Sequence, residues 1–243
     1  MSLDQLPPFA ASALLLDFDG TLVDLAPTPD AVVVAPGLRD TLRRLRDRLG
    51  GALAIITGRP VETVDALLGD APYAVAGEHG GAVRHAPGEA LIRPSLPSPA
   101  PEWLQAAEQL VAAHPGTLLE RKARGFALHF RAVPAAGPAL HDALTALLSG
   151  SGTFELLPAH MLWEVRPRGV DKGKAVRLLL ARPPFAGRKP VFIGDDVTDE
   201  DAIRAARALG GAGFHVADAF GSPSGVRAWL RGAAATGDWP ALR

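Results

Sequence analysis

The sequence predicts an α/β fold in which an α+β domain interrupts a core built on a parallel sheet. The runs Ser12–Leu16 and Ala52–Ile56 are continuously apolar, as expected of strands that are buried on both faces. Between them, leucines recur with helical spacing over residues 38–49, which predicts an amphipathic helix packed on that sheet. The pattern changes after residues 94–101, a stretch with four prolines that predicts a stiff linker.

The rest of the core pattern alternates helices and strands, which is typical of a parallel sheet covered on both faces. Pro60 opens a helix at its first turn, and a third strand is expected at Tyr73–Ala76. The same alternation returns after Gly169. There we expect helices at Lys174–Ala181, Asp201–Leu209 and Pro223–Arg231 and strands at Val191–Ile193 and Phe214–Ala217.

The interrupting segment repeats a helix followed by a hairpin, so we expect the order αββαββ. Arg124-Gly125 marks the turn of the first hairpin. The predicted elements are helices at Glu102–Ala113 and Ala139–Leu148 and strands at Thr117–Ala123, Phe126–Val133, Thr153–Leu157 and Met161–Arg166. The predicted domains are therefore a core of residues 1–96 and 168–243 and an inserted domain of residues 97–167.

Composition excludes several classes of protein. The chain has 243 residues, and its 25 basic and 26 acidic side chains leave a net charge of −1, which argues against a nucleic-acid binder. It has no cysteine, which excludes disulfides, thiolate metal sites and a cysteine nucleophile. No apolar run approaches the ~20 residues that span a bilayer, and the N-terminus lacks the basic start of a secretory signal. We therefore expect a cytoplasmic globular protein that binds neither nucleic acid nor membrane.

Polar groups follow the first four predicted core strands, at the edge where parallel sheets bind their ligands. The returning helix adds a lysine close to its start. The groups are Asp17, Asp19, Gly20 and Thr21 after the first strand, Thr57 and Arg59 after the second, Glu78 and His79 after the third, Asp195, Asp196 and Asp199 after the fourth, and Lys172. We expect them to converge on one point.

The acidic residues in this set point to a metal. Asp17 and Asp19 are two residues apart on an extended segment, so both side chains lie on one side. Like charges roughly 4 Å apart cost about 4 kcal/mol at an effective dielectric constant of ~20, and Asp195 adds a third charge. Mg²⁺, which binds carboxylates, waters and substrate phosphate, is the natural compensation. Taken singly, each motif has a simpler explanation, such as a solvated turn, a helix N-cap or a surface lysine. Their combination at successive strand ends predicts a magnesium-dependent phosphate site.

Such a site would support phosphoryl transfer. One aspartate can attack phosphorus as a nucleophile while its neighbour handles the proton. Lys172 and the Thr57 hydroxyl can bind phosphate oxygens, and the backbone N–H groups of Gly20 and Thr21 are expected to be free to meet them. No Walker A or Gly-x-Gly-x-x-Gly motif occurs, so nucleotide binding is not supported.

These motifs resemble those of the haloacid dehalogenase (HAD) superfamily and, more narrowly, those of the trehalose-6-phosphate phosphatase family. The similarity extends from about Leu14 to Ala217. The matching motifs are Asp17-x-Asp19-Gly20-Thr21-Leu22, Thr57-Gly58-Arg59, Gly77-Glu78-His79-Gly80, Glu120-x-Lys122, His129-x-Arg131, Glu164-x-x-Pro167, Lys172-Gly173 and Gly194-Asp195-Asp196-x-Thr198-Asp199-Glu200. The resemblance implies a HAD-like Rossmannoid core whose insert is a cap domain that sets substrate specificity.

The resemblance also implies a role for each matching residue. Asp17 would form an aspartyl-phosphate, and Asp19 would protonate the sugar oxygen and then activate water. The implied Mg²⁺ ligands are Asp17, the Asp19 carbonyl and Asp195, supported by Asp196 or Asp199, while Thr57 and Lys172 would bind phosphate. The other implied substrate-binding residues are Gly20, Arg59, Glu78, His79, Glu120, Lys122, His129, Arg131 and Glu164.

Strand alternation in the insert agrees with a polar face. Glu120 and Lys122 share one face of their strand, and His129 and Arg131 share one face of the next. Such a face is either merely solvated or, if the resemblance holds, a sugar-binding face. The family usually has His-Tyr-Arg where this chain has Phe130 in the middle, and alternation predicts that Phe130 points to the opposite, apolar face.

The expected reaction is hydrolysis of trehalose 6-phosphate to trehalose and phosphate in trehalose biosynthesis, with a functional link to a trehalose-phosphate synthase. The alternatives are a related phosphatase of sucrose phosphate or mannosyl-phosphoglycerate, a phosphotransferase or mutase, and a non-catalytic sugar-phosphate sensor. Asp17 and Asp19 are both present, which argues against a sensor.

Overall fold

The computed structural model describes residues 6–93, 96–122 and 124–242. It divides into a core unit, made of the residues up to Arg93 and from Asp171 onward, and an insert unit made of the residues between them. The sequence predicts these divisions close by, at 96/97 and 167/168. Pro94 and Ser95 of the predicted linker, and Ala123 of a predicted strand, lie outside the described residues. In the described part of the chain, no helix is long and apolar enough to cross a membrane.

The elements are numbered along the chain. The strands are β1 (Ser12–Leu16), β2 (Leu53–Ile56), β3 (Ala74–Gly77), β4 (Ala82–Arg84), β5 (Leu118–Lys122), β6 (Gly125–His129), β7 (Phe154–Ala159), β8 (Leu162–Pro167), β9 (Lys189–Gly194) and β10 (Ala212–His215). The helices are α1 (Leu38–Arg48), α2 (Val61–Leu68), α3 (Pro101–Ala113), α4 (Gly137–Leu147), α5 (Lys172–Leu180), α6 (Glu200–Ala208), α7 (Val216–Ala219) and α8 (Pro223–Thr236).

The core unit is built on one six-stranded sheet with the order β10-β9-β1-β2-β3-β4. Every pairing among its first five strands is parallel, as predicted. All five side chains of β1 are buried, which explains why that strand is a continuous apolar run. Helix α1 packs against α8, and α5 packs against α6. Each fully buried leucine of this core contributes about 1.5–3 kcal/mol to stability.

Two features of the core sheet were not predicted. Strand β4 runs antiparallel to β3 after the short 3₁₀ turn Glu78–Gly80, and its three residues are too few to show a pattern in the sequence. The predicted strand Phe214–Ala217 is wrong at its end, because β10 stops at His215. Val216 already begins α7, where the Phe220 N–H donates to the Val216 carbonyl and closes a helical turn.

The insert unit has the predicted αββαββ order, and its two hairpins form one antiparallel sheet with the order β5-β6-β8-β7. One face of this sheet packs with α3 and α4 around an apolar cluster that includes Phe126, Leu128, Leu140, Leu144 and Val165. The opposite face carries the polar residues described below.

Two further predicted ends were wrong, each by several residues. Strand β6 ends at His129 rather than Val133, because the Val133 N–H donates to the Phe130 carbonyl in a turn and Pro134 follows with no N–H to donate. Helix α8 continues to Thr236 rather than Arg231. Its last turn contains alanines, which favour helix, and it ends at Gly237, whose φ of 76° suits a glycine.

Candidate active site

The loops at the carboxyl edge of the core sheet bring three aspartates together. Asp17 follows β1, and Asp195 and Asp199 follow β9, which pairs with β1. One carboxylate oxygen from each of these residues lies within 4.8 Å of the others, an arrangement that could hold a metal ion. The convergence predicted from the sequence is therefore present for these three residues.

Lys172 holds two of these carboxylates. Its Nζ lies 2.6 Å from Asp17 Oδ1 and 2.6 Å from Asp199 Oδ1, and all three side chains are buried. Lys172 is the first residue of α5, whose N-cap Asp171 accepts a hydrogen bond from the Lys174 N–H. The helix start therefore fixes where the ammonium group lies. Removing one partner from a buried ion pair usually costs about 3–5 kcal/mol, because the other charge stays buried.

The acid–base properties of the cluster reflect its burial. Burial, and next the charge of Asp199, raise the pKa of Asp17 well above its ordinary value, although Lys172 opposes this. Burial and Asp199 also raise the pKa of Asp195, to about 6. Burial alone would lower the pKa of Lys172, but the charges of Asp17 and Asp199 outweigh it and raise that pKa. The site thus holds more negative charge than one lysine compensates.

Gly20 lets the two acidic loops approach each other. Its φ is +72°, and a Cβ at this position would lie 2.0 Å from Asp195 Oδ2. Any side chain here would displace Asp195, so the position needs glycine for both conformation and space. The Thr21 hydroxyl lies nearby, 3.3 Å from Asp17 Oδ2 and 3.2 Å from Asp195 Oδ1. A hydroxyl has one proton, so it donates to one of these carboxylates at a time.

The expectation that the Gly20 and Thr21 backbone N–H groups are free is wrong. The Gly20 N–H donates to the Val23 carbonyl at 2.9 Å, and the Thr21 N–H faces the Phe18 carbonyl at 3.4 Å. The sequence predicts a loop that is open toward phosphate, whereas these residues form a tight turn that uses its own donors. Thr21, which the sequence predicts to converge on the site, faces the cluster with its hydroxyl rather than with its backbone N–H.

Asp199 also organises the backbone of its own loop. Its Oδ2 accepts from the backbone N–H groups of Asp195 and Asp196, each at 3.0 Å. Asp196 and Asp199 form a reciprocal capping box around the 3₁₀ turn Val197–Asp199. Asp196 lies outside the three-carboxylate cluster of the described residues. Of the two predicted supporting residues, Asp199 is therefore the one whose oxygen adjoins Asp17 and Asp195.

Asp19 lies in the same loop as Asp17 and is held by Arg59. Arg59 Nε donates to Asp19 Oδ2 at 2.6 Å, and Arg59 Nη2 donates to Asp19 Oδ1 at 2.7 Å. The guanidinium also lies over the Phe18 ring, 5.6 Å from its centroid. The sequence predicts that Arg59 binds substrate. In this structure its guanidinium forms two hydrogen bonds with the Asp19 carboxylate.

The loop after β2 packs against the loop after β3. The buried Thr57 accepts the Arg59 N–H on its hydroxyl at 3.2 Å. The His79 N–H donates to the Thr57 carbonyl, and the Glu78 N–H donates to the Arg59 carbonyl. Glu78 and His79 both have positive φ, at 53° and 56°, which is a strained conformation for these residues and is often found at functional sites. Hydrogen bonds therefore connect the two predicted motifs, one after β2 and one after β3.

In the insert unit, strand register places the predicted sugar-binding residues on one face. Glu120 pairs with Ala127, and Ala127 pairs with Glu164 on the next strand, so both glutamates share the face opposite α3 and α4. The Lys122 Nζ donates to Glu164 Oε1 at 2.8 Å, and the His129 Nε2 lies 2.8 Å from Glu120 Oε2. The predicted polar face is thus present. Whether it binds sugar stays a prediction, as does the role of Arg131, which follows β6.

Each glutamate on this face is matched by a cationic or hydrogen-bonding partner. Burial would raise the pKa of Glu120, but the hydrogen bond from His129 and the charge of Lys122 outweigh it and lower that pKa. A third pair, which the sequence analysis did not propose as a site, extends the row: Arg166 Nε donates to Glu155 Oε1 at 3.0 Å. This ion pair becomes evident only from the register of β7 and β8, in which Glu155 lies opposite Arg166.

Phe130 packs as the sequence predicts. It is partly buried against the apolar cluster of the insert unit, and its ring centroid lies 6.0 Å from that of Trp163. The Trp163 indole N–H donates to the Gly137 carbonyl at the start of α4. A tyrosine at position 130 would therefore also place its ring on the apolar side of the sheet.

The donor set of the core unit suits a hard divalent cation. Asp17, Asp195 and Asp199 offer only carboxylate oxygens, the ligands that Mg²⁺ and Ca²⁺ prefer. The raised pKa values of Asp17 and Asp195 show that their negative charges are costly here without further compensation. A bound cation would provide that compensation, so the residues present fit a metal.

Comparison with known proteins agrees with this geometry. The trehalose-phosphatase family profile matches residues 15–225, which include Asp17, Lys172, Asp195 and the other core-unit residues of the candidate site. The chain belongs to the trehalose-phosphatase family. The probable trehalose-phosphate phosphatase of Sinorhizobium fredii is 40% identical over 208 residues, which cover 84% of this chain and 77% of that protein. The trehalose-6-phosphate phosphatase of Escherichia coli is 35% identical over 210 residues, which cover 86% and 79% of the two chains.

Solved structures show that this member of the trehalose-phosphatase family has the expected fold. The C-terminal domain of the Candida albicans trehalose-6-phosphate phosphatase superposes with a TM-score of 0.78 at 19% identity and covers 93% of this chain and 92% of that one. A haloacid dehalogenase-like hydrolase from Bacteroides thetaiotaomicron gives a TM-score of 0.61 at 14% identity, over 89% and 97% of the two chains. The predicted HAD-like core with an inserted α+β domain is confirmed.

Proposed function

We propose that this phosphatase hydrolyses trehalose 6-phosphate to trehalose and phosphate, with Mg²⁺ and through a phosphoryl ester on Asp17. The observation that carries the proposal is the buried cluster in which Asp17 lies between Lys172, Thr21 and two further aspartates. The names of the relatives in Sinorhizobium fredii and Escherichia coli support the substrate.

In the first step, a carboxylate oxygen of Asp17 attacks phosphorus. The bond from Asp17 to phosphorus forms, the bond from phosphorus to the sugar oxygen breaks, and a proton from Asp19 neutralises the leaving oxygen. In the second step, Asp19 takes a proton from water as that water attacks phosphorus. The ester bond to Asp17 then breaks and phosphate leaves, which restores both aspartates.

Lys172 and Thr21 keep Asp17 in place for these steps. Lys172 fixes one carboxylate oxygen of Asp17 at 2.6 Å, and the Thr21 hydroxyl lies by the other oxygen. We assign phosphate binding to Lys172 and Thr57, as the family resemblance implies. When bound, Mg²⁺ would offset the negative charge of the carboxylates and of the phosphate. Asp17, Asp195 and the Asp19 carbonyl would hold it, with Asp199 in support.

We assign recognition of the sugar to the polar face of the insert unit. Glu120 and Glu164 can accept hydrogen bonds from sugar hydroxyls, and Lys122 and His129 can donate them. Arg131, Glu78 and His79 are further candidates from the family motifs. An uncharged disaccharide needs such a set of convergent polar groups for its orientation.

A synthase is the natural metabolic neighbour of this enzyme. A bifunctional trehalose-6-phosphate synthase/phosphatase of Thermoproteus tenax is 36% identical to this chain over 222 residues, which make up 29% of that protein. We propose that this phosphatase likewise acts on the product of a synthase.

Phosphate release from a panel of sugar phosphates tests the function. The panel contains trehalose 6-phosphate, sucrose 6-phosphate, mannosyl-phosphoglycerate and glucose 6-phosphate, each with Mg²⁺. We expect trehalose 6-phosphate to give the highest kcat/KM, and Asp17→Asn to abolish release from every substrate. Preference for another sugar phosphate would overturn the substrate, and release of a phosphorylated product would indicate a mutase or transferase. Tight binding of trehalose 6-phosphate without release would indicate a sensor.

A further inference from the structure

The segment that carries Asp19 is a tight turn whose shape depends on its own backbone. The N–H groups of Leu22 and Val23 both donate to the Phe18 carbonyl, at 2.9 and 3.1 Å, and Asp19 forms an isolated β-bridge with Val23. Displacement of Leu22 or Val23 would therefore move Asp19. The carbonyl of Leu22 takes no part in these bonds.

A residue far along the chain binds this carbonyl. Arg227, in α8, donates from Nη1 to the Leu22 carbonyl at 3.1 Å and from Nη2 to the Asp24 carboxylate at 3.1 Å. The Arg227 side chain is 13% exposed, whereas Asp24 is 71% exposed. Of the two bonds, the one to the backbone of the Asp19 turn is partly buried, whereas the one to Asp24 is exposed.

Aromatic stacking and hydrogen bonds hold helix α8, which carries Arg227, in place. Trp229, two residues further on, stacks on Trp239 with ring centroids 5.0 Å apart and planes 5° from parallel. The Trp229 indole N–H donates to the Pro240 carbonyl, and the Trp239 indole N–H donates to the Pro7 carbonyl. The helix is therefore fixed both to the residues that follow it and to the start of the core.

We infer that Arg227 is a positioning residue for Asp19: it fixes the turn at residues 18–24 and so sets where the proton donor and acceptor lies. The inference rests on the proposed function, in which Asp19 protonates the leaving sugar oxygen. A misplacement of about 1 Å can cost roughly 100-fold in rate, so a small shift of this turn is enough to matter. Arg227 is not part of any family motif recognised in the sequence.

The test uses Arg227→Met, with Arg231→Met as its matched control. Arg231 lies one turn further along α8 and is exposed. Each protein is mixed rapidly with trehalose 6-phosphate or with 4-nitrophenyl phosphate, and the first turnover is followed by trehalose or nitrophenolate release. Nitrophenolate leaves without a proton, so its release needs Asp17 but not the proton of Asp19.

We expect Arg227→Met to slow trehalose release in the first turnover by about 10- to 100-fold. Nitrophenolate release should stay within about three-fold of the wild type, because it needs no proton from Asp19. Both rates in Arg231→Met should also stay within about three-fold, because the exposed Arg231 leaves the bonds of Arg227 to the turn intact. Arg227→Lys, which keeps a cation and donors, should give an intermediate trehalose rate. Thermal unfolding of each variant establishes that it is folded at the assay temperature.

Two results would overturn the inference. Equal losses with both substrates would mean that Arg227 supports the fold or the Asp17 cluster, and wild-type rates with both would mean that the turn holds without it. Failure of the proposed function looks different, because the wild-type protein itself would then release no trehalose. In that case the test of Arg227 is repeated with a simple alkyl phosphate, whose leaving group also needs a proton.

Discussion

Arg59 donates to both carboxylate oxygens of Asp19, at 2.6 and 2.7 Å. The side-by-side geometry orients Asp19. Each carboxylate oxygen keeps a further lone pair that can take a proton, so Asp19 can exchange a proton while Arg59 holds it. Arg59 therefore sets the direction of the proposed acid and base.

Loss of Arg59 should act through Asp19. Hydrogen bonds between charged groups are worth roughly 1.5–3 kcal/mol, so Arg59→Met should lower kcat for trehalose 6-phosphate by about 10- to 150-fold. In the Asp19→Asn background the same change should cost less than about three-fold, because its target is already absent. Steady-state kinetics of the double-mutant cycle measures this, with exposed Arg44→Met as the control. Additive losses would mean that Arg59 binds substrate instead.

The polar face of the insert unit should affect sugar recognition and leave the chemistry intact. Glu→Gln keeps the size of the side chain but loses the charge, so Glu120→Gln and Glu164→Gln should each lower kcat/KM for trehalose 6-phosphate by about 10- to 150-fold. Hydrolysis of 4-nitrophenyl phosphate, which has no sugar, should stay within a few-fold of the wild type. Glu108→Gln, at an exposed position of helix α3, is the matched control. No loss with either substrate would mean that this face is only solvated.

Metal binding should weaken as the solution becomes acidic. The pKa of Asp195 is raised to about 6 in the metal-free protein, by burial and then by Asp199, so a proton competes with the cation below that pH. The rise in Tm caused by Mg²⁺ should be small near pH 5 and grow up to about pH 7.5. Differential scanning fluorimetry measures it, and Asp195→Asn should remove most of the shift.

EDTA should abolish turnover, Mg²⁺ should restore it, and Ca²⁺ should restore little. A shift independent of pH, or full activity after exhaustive chelation, would contradict this account.

His85 should make the fold less stable in mild acid. The side chain is 4% exposed, and its Nδ1 has no hydrogen-bond partner among the described residues. Burial, and next the charge of Arg182, lower its pKa below the ordinary value of 6.5. Between its pKa in the folded state and 6.5 the unfolded chain binds more protons, so stability falls as the pH falls through this window.

His85→Gln should remove that contribution. The difference in unfolding free energy between the variant and the wild type should therefore shift in favour of the variant as the pH is lowered from about 7.5 to 5.5. Urea unfolding at several pH values measures it. A difference that does not change with pH would show that His85 does not titrate differently on folding.

Much of the fold could be predicted because its signals are local. The apolar run of β1 and the leucine spacing of α1 locate those elements closely, since burial requires those residues at those positions. Strand β4 could not be found, because a three-residue edge strand is defined by its pairing with β3 rather than by its own sequence. Likewise, the end of β6 depends on a turn at Phe130 and Val133 that competes with strand pairing.

The candidate site likewise contains residues that the sequence predicts and contacts that it does not. Residues at strand ends, such as Asp17 and Asp195, could be predicted to converge because parallel strands share one edge. The hydrogen bonds of Gly20 within its turn, and the pairing of Arg59 with Asp19, depend on side-chain and backbone geometry that spacing does not contain. Arg227 lies 205 residues from the carbonyl it binds, so only the folded chain reveals it.

In the proposed reaction, trehalose 6-phosphate transfers its phosphoryl group to Asp17. Wild-type protein and Mg²⁺ are mixed with the substrate, quenched in acid within the first turnover, and digested, and the peptide that contains Asp17 is examined by mass spectrometry. We predict that this peptide gains the mass of one phosphoryl group, that Asp17 carries it, and that Asp17→Asn gives neither the gain nor trehalose. Release of trehalose at full rate with no phosphoryl group on this peptide, or with Asp17→Asn in place, would rule out the aspartyl-phosphate.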